Sequence, residues 1–586
     1  MLKNLSKPFC SGARARAHLE IRSPPLTQSL KPVNSSMANS APPWAFAPAH
    51  APASAAAVDF SRLGIKVRRL LLEIDSRSGG RPALAGLTTS EIKKLIFVPL
   101  TDVTQLSFCE QLQAEGDDGV GPATWFVSHA WMCTFVELLE ALEHFFVGEP
   151  QGLDTYIWLD LVSTSQHTNF THPPKWWADT FQTAIQSMGN MVMVMCPWDQ
   201  PVTLTRSWCI LELYSCCSSS AACRFDVALP EAQRRKLEQD LACKAHSFEA
   251  FLASVNSESS RCSRESDQQS IFDAVRASVG FAGLDAAVRR TLTSWMVKQL
   301  QFRIDGARAA GDERETSLWL NALGVLYLNQ GMRDDAVRLL EEAVDIRVRV
   351  QGPDGANMDD LAKAYSRRGE YARAAVLQEE ILASSRRVRG MEDPATLASM
   401  NNLACSYLRL RDYSRAAALF QDALSIRCRV FAADDIETLR SQCNLASTCY
   451  LQGDNAQSEP IFNEALIMLR RKHGLHHPWT LYYSIQLHLL LLRTGRAVEA
   501  QPLIAANCDL CASVMGSMHP RTILCMFVRA LCAFRKGEMD TQGLAVVLQE
   551  SRDVLGSGFE IDSIQREYDA VVLEAKVVAQ GQQLCC

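Results

Sequence analysis

Along the last half of the chain, apolar residues recur three and four positions apart in paired blocks, and the pairs themselves recur. Leu403, Ala404 and Tyr407 mark one face, and Leu419, Phe420, Ala423, Leu424 and Ile426 mark another beyond a break near Arg411. This is the pattern of two amphipathic helices joined by a tight turn. The turn recurs at Gly331, Gly369, Arg411, Gly453, Gly495 and Gly537, spaced 38 residues and then 42 each time. Thr396, Thr438, Thr480 and Thr522 keep the 42-residue interval, with Pro394, Pro478 and Pro520 two residues ahead of three of them. Glycine at the turn lets the first helix end in the left-handed conformation without a Cβ penalty. The alanines Ala343, Ala423 and Ala465 fit points where helices approach closely. A lone hairpin would leave an apolar face in water, so the pattern predicts an all-α solenoid of about six hairpins over residues 311–555, with a concave groove.

Upstream the period changes. Thr124–Ser128, Thr155–Leu161 and Met191–Cys196 are short apolar runs of strand length, and between them Phe135–Leu142 and Trp176–Met188 have helical spacing, the latter with Trp177, Phe181, Ile185 and Met188 on one face. Continuous apolar strands alternating with helices predict a parallel sheet flanked by helices over residues 119–230, entered through a loop at Gly119–Pro122. Ligands in such sheets bind beyond the carboxyl ends of the strands, which here carry Ser128, His129, Asp160, Pro197, Trp198 and Asp199. A helix capped by Ser207 or Thr205 then sets Trp208 and Glu212 four residues apart on one face. An aromatic plate beside a carboxylate suits a planar cationic base joined to a sugar: the plate stacks, and the carboxylate offsets charge on the ribosyl carbon. The plainer reading buries Trp208 in the core and turns Glu212 to solvent.

Two resemblances extend this reading. The 42-residue period, His519-Pro520-x-Thr522 and Asn401-Asn402-Leu403-Ala404-x-x-Tyr407 resemble the tetratricopeptide repeats of kinesin light chains, which implies a groove that binds a protein or peptide. The order Phe126-Val127-Ser128, Trp158-Leu159-Asp160, Thr183-Ala184-Ile185-x-x-Met188 and Ser207-Trp208-Cys209-x-x-Glu212-Leu213 resembles a Toll/interleukin-1 receptor (TIR) domain. The whole is similar to TIR-like and tetratricopeptide fusion proteins of algae and oomycetes. Enzymatic TIR domains are NAD nucleosidases, so the resemblance implies Glu212 as the catalytic residue and Trp208 as its aromatic neighbour, with Ser128, His129 and Asp160 as further candidates for contact with NAD. NAD would be a substrate, and no resident cofactor is required. Two departures weigh against activity: His129-Ala130-Trp131 follows the first strand, and residues 163–174 replace the turn through which TIR domains associate. The leading expectation is therefore a signalling scaffold, its TIR-like unit self-associating, with the NAD nucleosidase as the alternative.

The flanks complete the division. Residues 1–58 carry six basic residues against Glu20 alone and no core-forming pattern, which reads as a disordered tail, or as a transit peptide for organelle import, or as sequence ahead of a true start at Met37. Residues 59–118 read as a helical lead-in, with a basic amphipathic helix over Lys66–Ile74 and a helix start at Thr88–Glu91. Residues 231–310 read as a helical connector with a polar loop over Ser257–Gln269, and 556–586 as a C-terminal helix and tail ending in Cys585 and Cys586, which resemble a prenylation signal. A net charge of −6 without a basic stripe excludes a nucleic-acid partner. Twenty cysteines scattered over a long chain read as reduced thiols in the cytoplasm, and no apolar run reaches bilayer length. His129, His144, His167 and His172 lack metal-ligand spacing, so no metal is expected.

Overall fold

A computed structural model describes residues 61–555 and 564–573, apart from 78, 168–173, 218–222, 244–246, 353–357 and 516–518. The tail over 1–58, Met37, the sequence end at Cys585 and Cys586, and His172 lie outside the described residues.

The sheet has six strands: β1 (Leu63–Lys66), β2 (Val120–Pro122), β3 (Trp125–Ser128), β4 (Tyr156–Trp158), β5 (Asn190–Val194) and β6 (Arg224–Ala228), in the order β2-β1-β4-β3-β5-β6. It is mixed rather than parallel. β4, β3, β5 and β6 run parallel, whereas β1 lies antiparallel to both β2 and β4. The expected lead-in therefore contributes a strand, and the expected entry loop at Gly119–Pro122 is itself β2. Both were hidden because β1 and β2 are edge or near-edge strands of three or four residues, broken by Gly64, Gly121 and Pro122. Gly64 lies against the Ile157 carbonyl so closely that a Cβ there would sit 2.5 Å from its oxygen.

The central strands are apolar because both faces are covered. All four residues of β3 and the last four of β5 are buried. One face packs on α1 (Val67–Asp75) and α2 (Phe135–Val147), whose Leu70, Ile74, Leu138, Leu142 and Phe146 join a common core. On the other lie α3 (Pro174–Met188) and α4 (Ser207–Cys217). The run expected to stay extended to Leu161 leaves the sheet at Trp158 and turns helical at Asp160, where Ser163 Oγ accepts the Leu159 amide. The third strand likewise ends at Val194, before Met195 and Cys196.

The segment read as a connector forms α5 (Glu231–Cys243), a short helix over Ser247–Ala253, α6 (Glu265–Ala277) and α7 (Gly280–Ala310). α6 begins inside the expected loop. α7 crosses beside β6, where Trp295 Nε1 donates to Asp226 Oδ1 at 2.9 Å, and its far end packs on the first hairpin.

Six hairpins follow, from Glu313–Asn329 with Arg333–Gln351 to Pro520–Arg535 with Thr541–Leu555. Their period is written in helix-end chemistry. The first helices of hairpins three to six are capped by Asp393, Asp435, His477 and His519, each accepting a backbone N–H of the first turn. The turns at Gly331, Gly369, Gly453, Gly495 and Gly537 have positive φ, and Arg411 at the same position has φ 61°. Thr396, Thr438, Thr480 and Thr522 are buried, as are Ala343, Ala423 and Ala465.

Candidate functional site

The carboxyl end of β3 is where successive parallel connections leave to opposite sides, β4 on one flank and β5 on the other, the position at which open α/β sheets bind ligands. β3 ends in Ser128, and its hydroxyl donates to Glu212 Oε2 on α4 at 2.6 Å. His129 follows, buried, with its Nδ1 3.6 Å from Asp160 Oδ1. Trp131 Nε1 donates to Asp160 Oδ2 at 2.6 Å, so a carboxylate just beyond β4 anchors the loop after β3. His129, Trp131 and Asp160 line a cavity of about 350 Å³ together with Trp208 and Glu212, and Ser128 reaches it through Glu212. Its size falls within the range of small-molecule pockets, ~300–1,000 Å³.

Trp208 is held by an aromatic ladder. Its ring meets Phe181 of α3 edge-on at 5.8 Å, Phe181 meets Trp158 at 5.7 Å, and Trp158 stacks on Phe126 at 4.9 Å. The indole is neither lost in the core nor loose in solvent; it is half-buried and lines the cavity.

The electrostatics follow from enclosure. Burial pushes the Glu212 carboxyl up to about 8, the Ser128 hydroxyl pulls it down, and the charge of Asp160 pushes it further up. His129 is driven the opposite way: burial lowers its pKa, and Asp160 offsets this only in part, so the imidazole is neutral at pH 7. Its Nε2 is buried without a hydrogen-bond partner, a polar atom that a ligand would satisfy. Lys93 Nζ sits over the Trp131 ring at 5.2 Å, its pKa lowered by burial. Lys93, Arg206 and Arg264 bring positive charge to the cavity, and Asp267 a further carboxylate.

All five residues singled out from the sequence, Ser128, His129, Asp160, Trp208 and Glu212, meet here. Pro197, Trp198 and Asp199 do not line the cavity: Trp198 turns to Asp240 and Phe251, and Asp199 pairs with Lys236. The remaining histidines are dispersed, His167 on Thr101 and His144 beside Glu231. Sequence reasoning missed Lys93, Trp131, Phe181, Arg206, Arg264 and Asp267 as site residues. Trp131 had a visible signal, lying three residues past a strand end. Arg264 and Asp267 had none, because the start of α6 reaches the rim only through tertiary contacts. Ser260 Oγ lies 2.8 Å from Ser207 Oγ at the head of α4, and Arg206 donates to Ser263 at 2.6 Å. The segment 231–310 is thus part of the site and not a tether.

Models of the tetratricopeptide repeat match residues 314–386, 354–429 and 438–478. No curated protein matches the chain. A kinesin light chain-type protein of Podosopora anserina with nearly identical TPR-like repeats is 23% identical over 33% of this chain and 93% of that one, at a TM-score of 0.30. BtubC of P. vanneervenii is 20% identical over 38% and 92%, at 0.33. The quorum sensor NprR of B. thuringiensis is 14% identical over 57% and 95%, at 0.36. The matched repeats make the second half a tetratricopeptide array, and such arrays present extended binding surfaces, which supports a protein-interaction scaffold. No helix among the described residues is long and apolar enough to cross a membrane.

Proposed function

We propose that the α/β unit is a TIR-like module that hydrolyses the N-glycosidic bond of NAD, carried on a protein-binding array that governs it. The observation that supports this reading is the Glu212 carboxyl, held by Ser128 in the same cavity wall as Trp208. Trp208, backed by Phe181, offers a face to the nicotinamide ring, and the cations of Lys93, Arg206 and Arg264 suit the pyrophosphate. As the bond between the ribosyl carbon and the ring nitrogen breaks, its electron pair passes to the nitrogen and neutralises the pyridinium. The carbon becomes cationic, the Glu212 carboxylate offsets that charge, and the oxygen of a water molecule adds to it. One proton leaves for solvent, and the products are nicotinamide and ADP-ribose.

Glu212, with its pKa near 8, is protonated in the resting site at pH 7. A pyridinium cation nearby favours the carboxylate, so substrate entry itself promotes the active form. The same neutrality favours a second reading, in which the unit only pairs with its own kind and the chain is a scaffold throughout. Nicotinamide release by the full chain, free and gathered at high density on a support, separates the two. Release that is lost in Glu212→Ala with circular dichroism unchanged is expected; no release in either format leaves the scaffold alone. The free, largely buried cysteines among the described residues support a cytoplasmic setting for this function.

A further inference from the structure

The helix over residues 564–573 does not continue the stack as a seventh hairpin. It lies against the face formed by the first helices of the hairpins, across Pro394–Arg409, Ile436–Gln452 and Pro478–Arg493. Three observations define this contact. First, Ile564 and Val571 are buried in the apolar cluster of the fourth to sixth hairpins, with Tyr568 packed beside them, so positions i, i+4 and i+7 form one anchoring face. Second, Glu567 on that side accepts from Tyr450 Oη at 2.7 Å, and Arg493 lies over the Tyr450 ring at 5.0 Å. Third, the fit is incomplete: a void of about 80 Å³ remains between Arg566, Glu567 and the groove wall.

Tyr450 departs from the pattern of the preceding hairpins. In the two preceding hairpins a first-helix tyrosine, Tyr365 or Tyr407, donates to a glutamate of the helix before it, Glu341 or Glu379. The residue 42 positions after Tyr407 is Cys449, and the aromatic has moved one place on to Tyr450. Its ring is buried, and its hydroxyl meets a carboxylate brought from 117 residues away. The ten described helical residues would be marginal by themselves in water, so packing in the groove supports their helicity.

We propose that this face is a receptor for an acidic amphipathic helix, and that residues 564–573 are an internal occupant which a partner with the same apolar spacing and a carboxylate at the Glu567 position displaces. The inference rests on the array as a protein-binding surface and is independent of the chemistry at Glu212.

The test is a fluorescent peptide of residues 562–575 titrated into the full chain and into the full-length Ile564→Asp/Val571→Asp variant. The variant should bind at least ten-fold tighter than wild type, and Glu567→Ala in the peptide should weaken binding about five- to ten-fold. Tyr450→Phe in the receptor should remove most of that difference. Equal binding by wild type and variant, or none by a variant with unchanged circular dichroism, overturns the proposal. Hydrogen exchange on the wild-type chain covers a variant that misfolds: excess peptide should speed exchange of amides 564–573 several-fold, and no change would count against displacement. Because the readouts are binding and exchange, an array that binds normally while NAD goes uncleaved, or the reverse, tells the two proposals apart.

Discussion

Glu212 is the residue on which the proposed chemistry turns, and its environment fixes signs that can be measured. Its pKa in the fold, about 8, lies above the ordinary 4.5, so the native state holds the proton more tightly than the unfolded chain. The burial penalty is absent below about pH 4.5, grows as pH rises through that value, and is complete above about 8. Glu212→Gln should therefore be more stable than wild type by roughly 1–3 kcal/mol at pH 7.5 and no more stable at pH 4, read from chemical denaturation. Ser128→Ala removes the one neighbour that lowers this pKa, so the pH midpoint of any NAD turnover should move upward; a downward move would contradict the arrangement. The five candidate residues were legible because strand ends and a four-residue helical spacing are local signals. Lys93, Arg264 and Asp267 were not, since two segments remote in sequence deliver them and nothing in their own spacing says what they face.

At the level of elements, the array was the most legible part because its period is repeated in caps, turns and small buried residues at once. Arg411 shows the rule through its exception, a bulky residue in a left-handed turn that five glycines occupy elsewhere. Arg411→Gly should raise stability by about 0.5–1 kcal/mol, the left-handed strain outweighing the entropy of glycine. Gly453→Ala should cost about 1 kcal/mol, and because open space surrounds that position the cost is one of backbone alone. Thermal denaturation of the two variants checks the opposite signs. The sheet was harder to read. Its parallel strands announced themselves as apolar runs, but β1 and β2 are too short and too rich in glycine and proline to stand out, and β6 carries Arg224 and Asp226. The result was a mixed sheet where a parallel one was expected.

Across the whole molecule, α7 joins the site to the repeats. Near its start Thr291 Oγ1 lies 2.7 Å from Cys217 Sγ at the end of the Glu212 helix, its middle holds Asp226 through Trp295, and its far end packs on the first hairpin. Helical periodicity revealed these helices but not that they close the cavity and carry its link to the array, because period records a buried face and not what buries it. Trp295→Ala should destabilise the chain by about 3–5 kcal/mol and split one calorimetric transition into two, as the sheet unit and the array lose their shared strut. A single shifted transition would show that α7 does not couple them. Whether the cavity at Glu212 cleaves NAD is decided by the pH profile of nicotinamide release from the full chain. kcat/KM should rise with pH through about 8 in wild type, with no release above background in Glu212→Gln. Equal release by both proteins, or none by wild type at any pH, would contradict it.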